Sequence, residues 1–298
     1  MDKKLIVQAQ NALDEAEYVV VLAGAGMSAE LGLPVYYKGN DVRYGGQVMP
    51  SGLTAMEHAN AELWEDNREI QIEFFHESLQ RIIAIPIDDE SNHYHVLYSY
   101  LRRENKKYFV MTSNVDRAFA RAGFAESRIY EIHGSRLKSQ CLDHPEHGVF
   151  STLCNNEKTL CPVCHGDTRP NVMFFGDYHF NTSVAEKQLD NYADYRSVLT
   201  GQKTVVLEIG AGTTVATIRN QSAILNHHFD ATVIRINTDA NDDTAAFEWT
   251  MPPSNAPFLK LPMSAREGIR VLTKFDENNT FASPVRQHSV GFPDMDSL

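Results

Sequence analysis

The sequence predicts a doubly wound α/β fold: a parallel sheet with helices on both faces, interrupted by a smaller inserted unit. Two observations give the sheet. Short, unbroken aliphatic runs recur at Tyr18 to Leu22, Tyr108 to Thr112, Ile129 to Ile132, Val172 to Phe175, Thr204 to Ile209 and Thr232 to Ile236. Runs without polar alternation suit strands buried on both faces, which is the habit of parallel sheets. Helical spacing appears between them, in Leu5-Ile6-Gln8-Ala9-Ala12-Leu13, in Phe74, Leu79, Ile82 and Ile83, and in His95 to Leu101. Alternating strand and helix is the signature of the class. A third observation gives the insertion: the alternation fails from about Tyr37 to Ile85 and again from about Arg136 to Asn171.

Taken in order, residues 1–36, 86–135 and 172–277 read as the large domain. Residues 37–85, helical in pattern, and 136–171, which hold every cysteine, read as a small domain packed from two segments. The stretch 278–298, polar and punctuated by Pro284 and Pro293, reads as a loose tail.

Bulk composition narrows the function. A chain of 298 residues with 43% hydrophobic and 22% charged residues has the makings of an ordinary core. Its net charge of −12 disfavours nucleic acid as the main partner, since a phosphate backbone asks for a basic face. The N-terminal MDKKLIVQAQ lacks the apolar core of a secretory signal, and no run approaches the roughly 20 apolar residues of a membrane helix. The expectation is a cytoplasmic protein with neither nucleic-acid nor membrane partners. The oligomeric state stays open.

The first strand runs into Ala23-Gly24-Ala25-Gly26-Met27-Ser28-Ala29-Glu30-Leu31-Gly32. Glycines here let backbone N–H groups and a helix N-terminus approach a phosphate. They equally allow a tight strand-to-helix turn. The spacing is not the G-x-G-x-x-G of dehydrogenases, and Asp41 is no convincing ribose-binding acid. Both readings of the loop stay open on these residues alone. The cysteines Cys141, Cys154, Cys161 and Cys164 cluster tightly, and in a reducing compartment a Cys-x-x-Cys such as Cys161 to Cys164 points to a metal before a disulfide.

Six segments, taken together, carry a family resemblance. They are Thr112-Ser113-Asn114-Val115-Asp116, Glu131-Ile132-His133-Gly134-Ser135, and Cys161-Pro162-Val163-Cys164. Arg169 through Asp177 (RPNVMFFGD) and Gly212-Thr213-Thr214-Val215, followed by Ile234-Arg235-Ile236-Asn237, complete the set. In order and spacing the chain resembles the sirtuins, the Sir2-like NAD-dependent protein deacylases. The likeness runs from about Leu5 to Leu272.

The resemblance implies a Rossmann-like large domain and a small domain with a zinc ribbon and a helical module. NAD serves as co-substrate, and an acyl-lysine of a protein enters the same cleft. It implies that Gly24, Ala25, Gly26, Ser28, Tyr36, Ser113, Gly212, Thr213, Thr214 and Asn237 hold NAD. Asn114 and Asp116 then sit at the nicotinamide ribose and carboxamide, and His133 is the base. Val172, Phe175 and Gly176 frame the acyl-lysine tunnel. Neutral imidazole suits removal of a proton from a ribose hydroxyl near neutral pH, which gives His133 a chemical reason for its place. The histidines His93, His95, His227 and His228 read instead as core or surface residues.

A single structural zinc held by Cys141, Cys154, Cys161 and Cys164 follows from the same resemblance. His144 in place of Cys154 is the other ligand set.

One segment departs from the family pattern. Where deacetylating sirtuins read G-[IL]-P-D-F-R, this chain reads Gly32-Leu33-Pro34-Val35-Tyr36-Tyr37. The lost ion pair leaves three readings: protein-lysine deacylation, another NAD-consuming reaction such as ADP-ribosyl transfer or NAD hydrolysis, or NAD and partner binding without turnover. Arg43 is a candidate to reach back into the site.

Overall fold

The computed structural model describes residues 2–33, 51–152, 158–213, 215–241 and 254–275. The sequence expectations at Val35, Tyr36, Tyr37, Arg43, Cys154, Thr214 and the C-terminal tail lie outside the described residues.

Helix α1 (Lys3–Glu15) begins at Asp2, whose carboxylate accepts the Lys4 N–H at 2.9 Å, the usual remedy for unpaired donors at a helix start. It leads into β1 (Tyr18–Ala23) and the short α2 (Ala25–Ala29). The next helices are α3 (Ala55–His58), α4 (Glu62–Asp66) and α5 (Arg68–Ile83), then α6 (His93–Arg103). The chain returns through β2 (Lys107–Thr112), α7 (Ala118–Arg121) and β3 (Ile129–Glu131). After β4 (Gly134–Cys141), β5 (Val149–Ser151) and β6 (Thr168–Val172) come α8 (Ser183–Ser197), β7 (Thr204–Ile209) and α9 (Thr217–Phe229). The last described elements are β8 (Thr232–Ile236), β9 (Phe258–Leu261) and α10 (Ala265–Thr273).

Six of these strands form one parallel sheet in the order β3-β2-β1-β7-β8-β9. Residues on β1 divide cleanly between its faces. Val19, Val21 and Ala23 pack with residues of α1, α6 and α10, while Val20 and Leu22 pack with residues of α8 and α9. Both faces are covered, so the aliphatic runs need no polar alternation. The chain winds outward from β1 through β2 to β3, then restarts beside β1 at β7 and winds the other way. The strand order therefore reverses between β1 and β7, and a crevice opens at the carboxyl ends there.

A second sheet, antiparallel, runs β5-β4-β6. Val172 of β6 and Phe174 just after it pack against Trp64 of α4 and Phe75 of α5. Here the sequence reading needs correction. Val172 to Phe175 was expected as a strand of the main sheet, whereas the strand is Thr168–Val172 and belongs to the small one. Arg169 folds back to pair with Asp177 and to donate to the Val172 carbonyl, and this turns the chain after Val172. The sequence reading did not foresee β4 either, because its buried residues are polar. Ser135, Ser139 and Gln140 are all buried, and Gln140 exchanges hydrogen bonds with Asn171, Asn181 and His179 instead of packing apolar surface.

Gly210 follows β7 with φ of +62°, and a Cβ there would stand 2.2 Å from the Met27 nitrogen. We expect Gly210→Ala to combine left-handed backbone strain with an overpacked backbone contact, at a cost of about 2–4 kcal/mol. A thermal melt checks this, and a melting temperature equal to wild type would contradict the packing account.

Candidate active site and metal centre

The loop after β1 is stapled to the loop after β7. The Gly24 N–H donates to Ile209 O and the Gly26 N–H to Gly210 O, each at 2.9 Å. A Cβ on Gly24 would lie 2.7 Å from Gly210 O, and one on Gly26 would lie 2.8 Å from Gly210 Cα. The glycines are thus required by backbone-to-backbone packing. Their own N–H groups are taken, and the Ala25 N–H has no partner among the described residues.

The loop after β2 is fastened to the same place. Ser113 N–H and the Thr112 hydroxyl both donate to Ala23 O at 3.1 Å, and the Asn114 N–H donates back to Thr112 Oγ1 at 3.0 Å. Asn114 Nδ2 reaches Gly24 O at 3.0 Å and Ser28 Oγ at 2.9 Å. Ser28 in turn donates to Asp116 Oδ2 at 2.6 Å, and Asp116 Oδ1 accepts the Ala118 N–H at 2.8 Å. Asn114 and Asp116, expected at the nicotinamide end of NAD, and Ser28, expected at its phosphates, therefore form one buried cluster. Burial pushes the Asp116 carboxyl up, and the hydrogen bonds from Ser28 and Ala118 pull it back.

Sequence reasoning missed the fourth member. Tyr94 on α6 is fully buried, and its hydroxyl lies 2.8 Å from Ser28 Oγ. Ser28 has one proton, which goes to Asp116, so Tyr94 is the donor in this pair. The Ser28 oxygen is then saturated: one bond given, two received. Tyr94 sits next to Asn92, whose side chain caps α6 by accepting the Tyr94 N–H at 3.0 Å. The only sequence cue was a tyrosine in the first turn of an amphipathic helix, and periodicity assigns that to the core.

His133 lies just beyond β3, partly exposed, between Ile132, whose N–H bonds Thr112 O at 3.0 Å, and Gly134. Desolvation pushes its imidazole below the ordinary 6.5, and a hydrogen bond to the Ser113 backbone pulls partway back. Its carbonyl accepts the Met173 N–H at 3.0 Å, which ties this turn to the segment after β6. Behind it the buried Glu131 pairs with Arg117 at 2.9 Å.

The other expected residues that are described lie on several elements. Ser113 is half-buried at the end of β2, and Gly212 and Thr213 follow β7. Asn237 follows β8 and donates to Ala211 O at 2.7 Å. Val172 is buried, while Phe175 and Gly176 are exposed where residues 173–176 run past Ala59 and Ala61. Of the histidines set aside, His93 is a core residue bonded to the Met27 carbonyl at 2.8 Å.

At the far end of β4, Cys141, His147, Cys161 and Cys164 bring their ligand atoms within 4.8 Å of one another. The Cys141–Cys164 sulfur separation is 3.6 Å, and Cys161 Sγ lies 3.4 Å from His147 Nδ1. Tetrahedral zinc with sulfur at about 2.3 Å and nitrogen at about 2.0 Å places such donors roughly 3.5–3.8 Å apart, so this set fits a structural zinc. Desolvation opposes ionisation of Cys161, yet the N–H groups of Cys164 and Val163 outweigh it and bring the thiol down to about 6. That is the polarity a metal thiolate needs. His147, not His144, is the histidine at the cluster. His144 is exposed and turned to Glu146, which corrects the alternative ligand set.

A parallel sheet with a crevice at its reversal point, joined to a Cys/His metal knuckle, defines a nucleotide-binding α/β protein with a structural metal. The chain belongs to the Sir2 family, whose model matches residues 24–206. It is 28% identical over 261 residues to the NAD-dependent protein deacylase of Deinococcus radiodurans, covering 85% of this chain and 96% of that protein. Among solved structures, a Sir2 homolog–NAD complex superposes with a TM-score of 0.66 at 22% identity, over 92% of this chain and 93% of the other. Sir2Tm bound to a propionylated peptide superposes with a TM-score of 0.58 at 18% identity, over 92% and 98%. These two likenesses establish the fold.

Two outcomes check the site. Tyr94→Phe removes one donor from Ser28 and should cost about 1 kcal/mol, a melting shift of roughly 2–4 °C. For the metal, elemental analysis should find about one zinc per chain. Cys164→Ser and His147→Ala should each lower that content, and His144→Ala should leave it unchanged. Full zinc retention in His147→Ala would remove that residue from the ligand set.

Proposed function

We propose that this protein is an NAD-dependent protein-lysine deacylase, which cleaves the nicotinamide–ribose bond and transfers the acyl group from lysine to ADP-ribose. The observation that carries the reading is the convergence of Asn114, Asp116, Ser28 and a desolvated His133 on one crevice at the sheet's reversal point. Family membership and the deacylase activity named for the Deinococcus relative support it.

Each residue has a task that its chemistry suits. NAD supplies an electrophilic ribose carbon once nicotinamide departs, and the acyl oxygen of the substrate traps it. Asp116 accepts a hydrogen bond from the carboxamide, and Asn114 orients ribose or water without adding charge. His133, neutral because it is desolvated, takes the proton of a ribose hydroxyl. Phosphate meets the Ala25 N–H at the start of α2, unpartnered among the described residues, with Gly24 and Gly26 shaping the approach. Gly212, Thr213 and Asn237 serve the adenosine side, and Val172, Phe175 and Gly176 border the acyl-lysine path. In this reading residues 37–85 and 136–171 form the small domain that closes the cleft against the NAD-binding domain.

The test incubates the protein with NAD, with and without acylated peptides, and identifies products by mass spectrometry. O-acyl-ADP-ribose is expected. Free ADP-ribose formed equally without peptide would make the protein an NAD hydrolase instead, and a modified protein would make it an ADP-ribosyltransferase. The working form of His133 is the neutral one and its pKa is lowered, so activity should persist as pH falls to 6.5 and be lost only below that. An acid limb above pH 6.5 would contradict this assignment, as would a His133→Ala variant as active as wild type.

A further inference from the structure

Ser51, His58 and Gln71 form a hydrogen-bonded line in which none of Ser28, Asn114, Asp116 or His133 takes part. His58 ends α3 and is fully buried, its ring stacked on Phe74 with centres 3.6 Å apart and planes 1° apart. Its Nδ1 lies 2.6 Å from Gln71 Oε1, and its Nε2 lies 2.8 Å from the hydroxyl of the exposed Ser51. Gln71 fixes the tautomer. The Gln71 amide nitrogen donates to the His58 carbonyl at 3.1 Å, so the amide oxygen faces the ring and the ring proton sits on Nδ1. The other ring nitrogen is then bare, and the Ser51 hydroxyl donates to it.

A serine, a neutral imidazole that accepts its proton and a third group that orients the imidazole are the parts that turn a hydroxyl into a nucleophile. Burial pushes the His58 imidazole below the ordinary 6.5; the Gln71 hydrogen bond and Glu57 pull it partway back, and Arg136 adds to the fall. Glu57 is itself occupied, accepting the Thr54 N–H at 2.6 Å and the Thr54 hydroxyl at 2.8 Å. The surroundings of Ser51 suit an incoming carbonyl. Gly52 follows with φ of +82°, and a Cβ there would meet nothing within 4 Å, so the space beside the serine is open. The Gly52 N–H has no partner among the described residues and is available to a carbonyl oxygen. The Leu53 N–H reaches the Ser51 oxygen at 3.4 Å.

We propose that Ser51 is a nucleophilic acyl-acceptor site that takes an acyl group from an activated carboxylic ester, with His58 as its base and Gln71 positioning that base. Ser51 Oγ bonds the carbonyl carbon while its proton passes to His58 Nε2. The ester C–O bond then breaks, and the proton leaves with the departing alcohol or phenol. The product is an O-acyl serine, formed without change of oxidation state and with no reactant besides the ester. NAD has no part in the step, so nothing in it depends on the deacylation reading.

The test incubates the full chain, without NAD, with 4-nitrophenyl acetate and follows acetyl adducts over time by peptide mass spectrometry. Ser183 is the internal reference, being exposed and bonded through its hydroxyl to Asn181, not to a histidine. Ser51 should be acetylated at least about a hundredfold faster than Ser183, the lower end of general-base assistance. The base is already neutral, so the Ser51 rate should stay flat between about pH 7 and 8.5, whereas lysine acetylation climbs about tenfold per pH unit. His58→Phe should bring Ser51 down to the Ser183 rate, and Gln71→Leu should slow it at least about tenfold. Zinc content and the melting transition report whether each variant is folded. A smaller Ser51 to Ser183 ratio, a Ser51 rate that climbs across that pH range, or full reactivity in a folded His58→Phe or Gln71→Leu protein would each overturn the proposal. The ratio and the pH profile are read on the unmodified sequence, so they decide the matter even where a variant does not fold.

Discussion

Two short peptide segments, Gly24 to Gly26 and Gly210 to Ala211, lie backbone against backbone at the seam between β1 and β7, and the site is assembled outward from that seam. Gly24, Gly26 and Gly210 do not tolerate a Cβ, because the atoms it would meet belong to main chain and cannot rotate away. The close approach lets Gly26 N–H reach Gly210 O and lets the β2 loop dock on Ala23 and Gly24. It also sets the start of α2, and with it Ser28. A shift of one strand end would thus be felt at three loops at once, since packed backbone yields little.

The polar cluster above the seam is fully paired without any ligand. Ser28 has spent its proton on Asp116 and both lone pairs on Asn114 and Tyr94. A ligand that bonds Ser28 must displace one of these partners, so binding there exchanges hydrogen bonds and adds few. Such exchange gives modest affinity and sharp dependence on geometry, because every misplaced group leaves a buried atom unpaired. Tyr94 has no role in this account except to hold the serine oxygen, and it does so from a helix whose start is itself fixed by Asn92.

The main sheet was legible because its strands are buried on both faces. Val19 to Ala23 and Thr204 to Ile209 could be read as strands from composition alone, and the motif residues at their carboxyl ends fell where the fold puts a crevice. The small sheet was not legible. Its β4 buries Ser135, Ser139 and Gln140 in a hydrogen-bond network, and hydrophobic periodicity carries no trace of such a strand. Val172 to Phe175 misled for the converse reason: the run is apolar, yet Val172 and Phe174 pack on α5 and Phe175 is exposed, so the sheet it suggested does not include it. At the metal, cysteine spacing revealed the knuckle. The approach of His147 was hidden because a histidine beside the cluster needs no regular offset from the cysteines, and the short helical turn Pro145–His147 carries it to Cys161.

The same two strands that meet the cysteine cluster at one end meet the His133 turn at the other. Cys141 pairs with Thr168 beside the knuckle, and Gly134 pairs with Val172 beside His133. The five residues of β6 set the distance between those ends at roughly 13–17 Å, at about 3.3 Å per residue. Between the ends the register slips, at an irregularity between Ser135 and Ser139. A ribbon with a slip in its middle has a second alignment close at hand. The ion therefore acts as a clasp on the alignment of the pair. Open it, and the far end is free to slide by a residue, carrying the histidine turn with it although the cysteines sit at the opposite end of the pair.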